Sequence, residues 1–118
     1  MSGSPPEQEI EVEPAAVAEM LAVGEEVELI DVREPYEREA GHIEGSRHIE
    51  LAQLSEQAAS VARGRTVVFY CRLGSRSLMA AQAFRASGYE AYSMTGGLVR
   101  WAQEERDLAP EGGYVAEH

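Results

Sequence analysis

Lysine and asparagine are missing from this chain of 118 residues, and cysteine occurs once. All ten basic residues are therefore arginine, set against 21 acidic residues, for a formal net charge of −11. Lysine and asparagine share A-rich codons, so their joint absence points to a GC-rich bacterial genome. The acidic excess argues against nucleic acid and anionic membrane surfaces as partners, because both require a basic footprint. No apolar run approaches the ~20 residues of a membrane span. The N-terminus is polar and acidic, carries Pro5 and Pro6, and lacks the basic start and apolar stretch of a signal peptide, so a cytoplasmic location is expected. A lone cysteine cannot close an intramolecular disulfide, and it excludes a Cys-based zinc site. His48 and His118 have no partner at ligand spacing, so no metal site is expected.

What is present reads as one α/β domain over residues 9–106, between a flexible segment at 1–8 and a loose tail at 107–118. Glu13 to Val23 has helical spacing, with Pro14 suited to the first turn and Gly24 as a stop. Val27 to Val32 reads as a strand. Arg33 to Gly45 is punctuated by Pro35, Gly41 and Gly45 and reads mostly as loop, with one helical turn at Tyr36 to Ala40. A short strand at Arg47 to Glu50 precedes a helical segment in which Leu51, Leu54, Ala58 and Val61 share a face. Thr66 to Cys71 is apolar almost throughout, as in a strand buried on both faces of a parallel sheet. Arg76 to Ser87 reads as a helix with Leu78, Met79, Ala83 and Phe84 inward. Glu90 to Met94 is a further strand, and Leu98, Trp101 and Ala102 form the apolar stripe of a last short helix. Alternation of this kind implies a parallel sheet covered by helices on both sides. Ligands of such sheets sit beyond the carboxyl ends of the strands, where Asp31–Arg33 and Cys71 both fall.

The segment Cys71-Arg72-Leu73-Gly74-Ser75-Arg76-Ser77 carries the chemistry. A thiol between a buried strand and the start of a helix faces unpaired N–H groups and the positive end of a helix dipole. Gly74 permits the backbone angles of an anion-binding nest. Arg72 and Arg76 add two positive charges to an acidic protein. All three favour a thiolate, the setting of a reactive cysteine. Arg72 would attract an anionic donor. Arg76 could bind substrate or pair with Asp31, and the loop-shaping role is favoured. Asp31 and Arg33 are expected to form an ion pair that ties the second loop to the first. His42, in a turn, is expected to be a hydrogen-bonding structural residue, Leu98 and Trp101 to be core, and the glutamates to form a solvated face.

The loop resembles that of the rhodanese family, a cysteine followed by Arg-x-Gly-x-Arg-Ser. Leu29-Ile30-Asp31-Val32-Arg33-Glu34 with Tyr36, and then Gly41-His42-Ile43-Glu44-Gly45-Ser46, resemble the family's upstream block. Gly96-Gly97 with Trp101 resembles its closing block. His48-Ile49-Glu50 departs from the family's frequent Asn-Ile-Pro. The resemblance implies about five parallel strands with helices on both faces, and a thiosulfate sulfurtransferase. Cys71 would be its catalytic residue. Arg72, Leu73, Gly74, Ser75 and Arg76 would bind substrate, and Asp31, Arg33 and Ser77 would support them. Cys71 would take sulfur from a small anionic donor as a persulfide and pass it to cyanide, a thiol or a protein acceptor, with no cofactor. Two competing functions are a cysteine phosphatase or arsenate reductase, the phosphatase loop being one residue longer than the four that separate Cys71 from Arg76, and a sulfur-carrying or protein-docking module that is not an enzyme in its own right.

Overall fold

The computed structural model describes residues 9–24 and 26–118, so the segment expected to be flexible at 1–8 lies outside the described residues. In chain order the elements are β1 (Glu11–Val12), α1 (Pro14–Ala22), β2 (Val27–Asp31), α2 (Pro35–Ala40) and β3 (Arg47–His48). They continue with α3 (Leu54–Gln57), β4 (Thr66–Tyr70), α4 (Ser75–Ala86), β5 (Glu90–Met94) and α5 (Gly97–Gln103). The five strands form one sheet in the order β1-β5-β4-β2-β3, and every pairing is parallel.

β4 lies in the middle because it is apolar on both faces. Val67, Val68, Phe69 and Tyr70 are all fully buried. Strand alternation sends Val67, Phe69 and Cys71 to one side, where Ile30 and Ala91 join them. There they meet Leu54 of α3, Val61, and Ala80, Ala81 and Phe84 of α4. Val68 and Tyr70 point to the other side with Leu29, Tyr92 and Met94, and pack against Val17 of α1 and Leu98 and Trp101 of α5. The sheet is thus helix-covered on both faces, as expected. The same alternation aims Cys71 toward α4.

Four features of the molecule differ from what its sequence predicts. β1 was not anticipated; it is two residues long and exists by pairing Glu11 and Val12 with Ser93 and Met94 at the sheet edge. The helical segment after β3 is α3 flanked by single 3-10 turns at Leu51–Gln53 and Ala58–Ser60. The buried stripe of α4 is Ser77, Ala80, Ala81 and Phe84, and Met79 is 59% exposed. Small residues on that stripe let α4 approach the sheet, where Phe84 meets Phe69 edge-on at 5.0 Å between ring centroids. Finally, the segment after Asp107 is docked. His42 and Ala109 exchange backbone hydrogen bonds at 2.8 Å, Tyr114 N–H donates to Ala40 O at 2.9 Å, and Leu108 and Val115 pack against the α1–α5 core.

Candidate functional site

Cys71 stands one residue past β4, where the sheet's pairing ends and the chain turns into α4. Gly74 makes that turn at φ +113°, a region that side chains strain to enter. The turn directs backbone donors back at the sulfur. Gly74 N–H donates to Cys71 Sγ at 3.1 Å and Ser77 N–H at 3.4 Å. The Ser77 hydroxyl lies 3.5 Å from Sγ and is itself held by Gly74 O at 3.2 Å and by the Ser93 hydroxyl of β5 at 2.7 Å. Sulfur anions are large and diffuse, and several N–H donors around one atom are the arrangement that steadies them. The thiol is 1% exposed, whereas Leu73 at the loop crest is 58% exposed.

A second layer fixes the loop from behind. The first N–H groups of α5 point at its carbonyls: Leu98 N–H donates to Cys71 O at 2.8 Å and Val99 N–H to Arg72 O at 3.1 Å. This approach is possible only because position 97 is glycine. A Cβ there would lie 2.4 Å from Arg72 O and 2.6 Å from Cys71 O.

The two loop arginines differ. Arg72 Nε is buried and has no hydrogen-bond partner. Arg76 is engaged end-on, donating from Nη1 and Nη2 to the two carboxylate oxygens of Glu37 at 2.9 and 3.0 Å. The expected Arg76–Asp31 pair does not form. Asp31 is committed to its neighbours: Arg33 Nε and Nη2 donate to Oδ1 and Oδ2 at 2.8 and 2.7 Å, and Arg38 reaches Oδ2 at 3.3 Å. The Asp31–Arg33 pair is therefore present as expected. It ties β2 to the following loop, since Arg33 Nη2 also donates to Gly41 O at 2.7 Å. Burial alone would lower the pKa of Arg33, but the hydrogen bond and charge of Asp31 more than offset it. His42 Nδ1 faces Arg38 O at 3.1 Å, in the structural role expected of it.

Glu37 escaped the sequence reading, which placed the glutamates on a solvated face, whereas this one is fully buried. Burial would raise its pKa, but the Arg76 guanidinium and the Glu34 N–H outweigh that and hold it below the usual carboxylate range. Glu37 in turn keeps Arg76 raised. A signal did exist: Glu34-Pro35-x-Glu37 is the spacing of a capping box, which Glu34 and Glu37 complete at the start of α2. Among the described residues, no group of three or more His, Cys, Asp or Glu is arranged to hold a metal ion.

The fold and this geometry define a class: an α/β protein that offers a single thiol on a donor-lined loop at a strand's carboxyl end. The comparisons with known proteins narrow it. The Rhodanese-like domain family matches residues 13–104, and the chain belongs to that family. It is 44% identical over 75 residues to the uncharacterized protein YqhL of Bacillus subtilis (strain 168), which covers 63% of this chain and 60% of YqhL. It therefore spans less than two thirds of that relative's length. It is also 31% identical over 96 residues to the putative sulfurtransferase YtwF of the same organism, covering 81% of this chain and 93% of YtwF. Among solved structures, a rhodanese-related protein from Thermoplasma volcanium superposes with a TM-score of 0.78 at 25% identity, covering 84% of this chain and 96% of that one.

Proposed function

We propose that this protein is a sulfurtransferase in which Cys71 carries the sulfur as a persulfide. One observation supports the reading above the others: the only thiol of the chain has a sulfur that accepts from both Gly74 N–H and Ser77 N–H. Family membership and the sulfurtransferase name of a relative support sulfur transfer in general.

The chemistry runs in two displacements. The Cys71 thiolate attacks the outer sulfur of a donor such as thiosulfate. A Cys71–S bond forms, the donor's S–S bond breaks, and sulfite departs with the bonding pair. The charge now rests on the outer sulfur of the persulfide. A thiophilic acceptor, cyanide or a thiolate, then attacks that outer sulfur and returns the pair to Cys71. Two half-reactions sharing one covalent intermediate give ping-pong order. Arg72, the loop cation without a carboxylate partner among the described residues, draws in the anionic donor. Leu73, Gly74 and Ser75 bind the donor, and Ser77 N–H steadies the sulfur. Arg76 ties the loop to α2 through Glu37, and the Asp31–Arg33 pair braces the neighbouring loop after β2. The reaction asks for no metal or organic cofactor, and we place the protein in the cytoplasm of a bacterium, acting on a small donor and a thiol or protein acceptor.

The test is intact-mass measurement coupled to a thiosulfate–cyanide assay. Thiosulfate should add the mass of one sulfur atom, and cyanide or reductant should remove it while thiocyanate appears in the first case. Cys71→Ala should abolish both, and residual transfer by that variant would refute the proposal.

A further inference from the structure

The anion-binding fork of Arg76 is already full. Its two terminal nitrogens each donate to a separate oxygen of Glu37. This is the side-by-side pairing that a guanidinium makes with a carboxylate or a phosphate. Glu37 comes from α2, and nothing in the sulfur-transfer steps above uses it. It is held in place independently of Arg76, since it accepts from Glu34 N–H at 3.0 Å and lies 3.3 Å from His118 Nδ1. We propose that Glu37 is a specificity-determining residue: a built-in anion that occupies the oxyanion fork of Arg76 and closes the site to phosphate-like groups. The proposal deepens the sulfurtransferase reading, but its core claim concerns which anions Arg76 accepts.

The physical case rests on what each anion needs. A tetrahedral oxyanion spreads its charge over several oxygens and binds where a guanidinium fork supplements backbone N–H groups. The N–H groups are here, aimed at Sγ. Arg76 leaves the same first turn of α4, one residue before the Ser77 N–H that reaches the sulfur. Only the fork is spoken for. To use it, phosphate would have to displace Glu37, which would leave a fully buried carboxylate without its cation, a state proteins strongly disfavour. The alternative is to approach a neutral pair and meet the repulsion of its carboxylate. A persulfide avoids both difficulties. It is covalently held, carries one charge on one atom, and needs only the N–H donors. Arg72, which makes no ion pair among the described residues, is the loop cation left for the donor's charge. Discrimination thus depends on occupancy of the arginine as well as on loop length.

Titration calorimetry with inorganic phosphate at neutral pH and low salt tests this. The proteins are the wild type, Arg76→Gln, Glu37→Gln and the double variant, each checked by circular dichroism. Glu37→Gln preserves size and an acceptor for Glu34 N–H while removing the charge. Wild type and Arg76→Gln should bind phosphate equally weakly. Glu37→Gln should bind at least about tenfold more tightly, the worth of one freed charge-assisted contact, and the double variant should fall back to the wild-type level. A folded Glu37→Gln protein with no gain overturns the proposal. So does a wild type that binds phosphate more tightly than Arg76→Gln, a comparison that stands even if Glu37→Gln fails to fold. Micromolar phosphate binding by the wild type overturns it without any variant. Failure of the wild type to transfer sulfur would sink the proposed function and leave the phosphate result intact.

Discussion

At the scale of single residues, the loop's positive charge divides between two arginines with different duties. Arg72 has a buried Nε with no hydrogen bond, so its removal breaks no internal contact made by that atom. Arg72→Ala should raise the KM for thiosulfate roughly tenfold or more, as loss of one charge-assisted contact does. The melting temperature should stay close to that of the wild type, and an unchanged KM would take Arg72 out of the site. Glu37 has the opposite profile. Its loss removes the two-point partner of a partly exposed Arg76, at a cost of about 1–3 kcal/mol. Its pKa is depressed in the folded state, so its contribution is fully present above the ordinary carboxylate value of about 4.3. That contribution is lost as the pH falls through the folded value. The stability gap between wild type and Glu37→Gln should therefore be widest near neutrality and narrow progressively below pH ~4. Chemical denaturation at several pH values would measure it, and a gap independent of pH would contradict the assignment.

At the scale of elements, the site is a junction of three. β4 delivers Cys71, the Gly74 turn and the first turn of α4 supply the donors, and α5 clamps the loop's carbonyls from behind. The clamp depends on Gly97, whose φ is +62° and whose missing Cβ is what lets Arg72 O come close. Gly97→Ala should cost on the order of 1–3 kcal/mol of stability. Because any relief must push the loop away from α5, it should also lower kcat for sulfur transfer. Thermal unfolding and turnover on the same preparation would check the pair of effects; a stability loss with unaltered kcat would mean that the clamp does not shape the loop. The contribution of β4 and α4 was legible in the sequence because its signals are local. An almost wholly apolar strand, a glycine turn and two arginines sit within a dozen residues of one another. The Glu37–Arg76 pair was not legible, because its members are 39 positions apart and each is polar enough to pass for surface. β1 was hidden for a related reason: two residues carry no periodicity, and the strand is defined by its neighbour β5. The outward turn of Met79 was misread because hydrophobicity suggested burying the larger side chains of α4, whereas close approach to the sheet selected serine and alanine.

At the scale of the whole molecule, the segment after Asp107 belongs to the fold. It crosses from α5 to α2, and Trp101 Nε1 donates to Asp107 O at 2.9 Å where it departs. It places Leu108 and Val115 against the core and brings His118 to Glu37. Ending the chain at Asp107 should remove about 2 kcal/mol or more of apolar burial and lower the melting temperature by several degrees. An unchanged melting temperature would show that the docking contributes nothing.

The parallel sheet has one more consequence, in the order of assembly. β1 at residues 11–12 pairs with residues 93–94, and the carbonyls of Cys71 and Arg72 wait for the N–H groups of Leu98 and Val99. During synthesis the thiol is therefore made long before the residues that complete its surroundings. Contacts of such long sequence separation form late and slowly. Until α5 emerges from the ribosome, Cys71 is an ordinary side chain on an unfinished sheet. The reactive loop is among the last parts of the molecule to exist, so a nascent or truncated chain that stops short of residue 96 carries the cysteine without the clamp that shapes its loop.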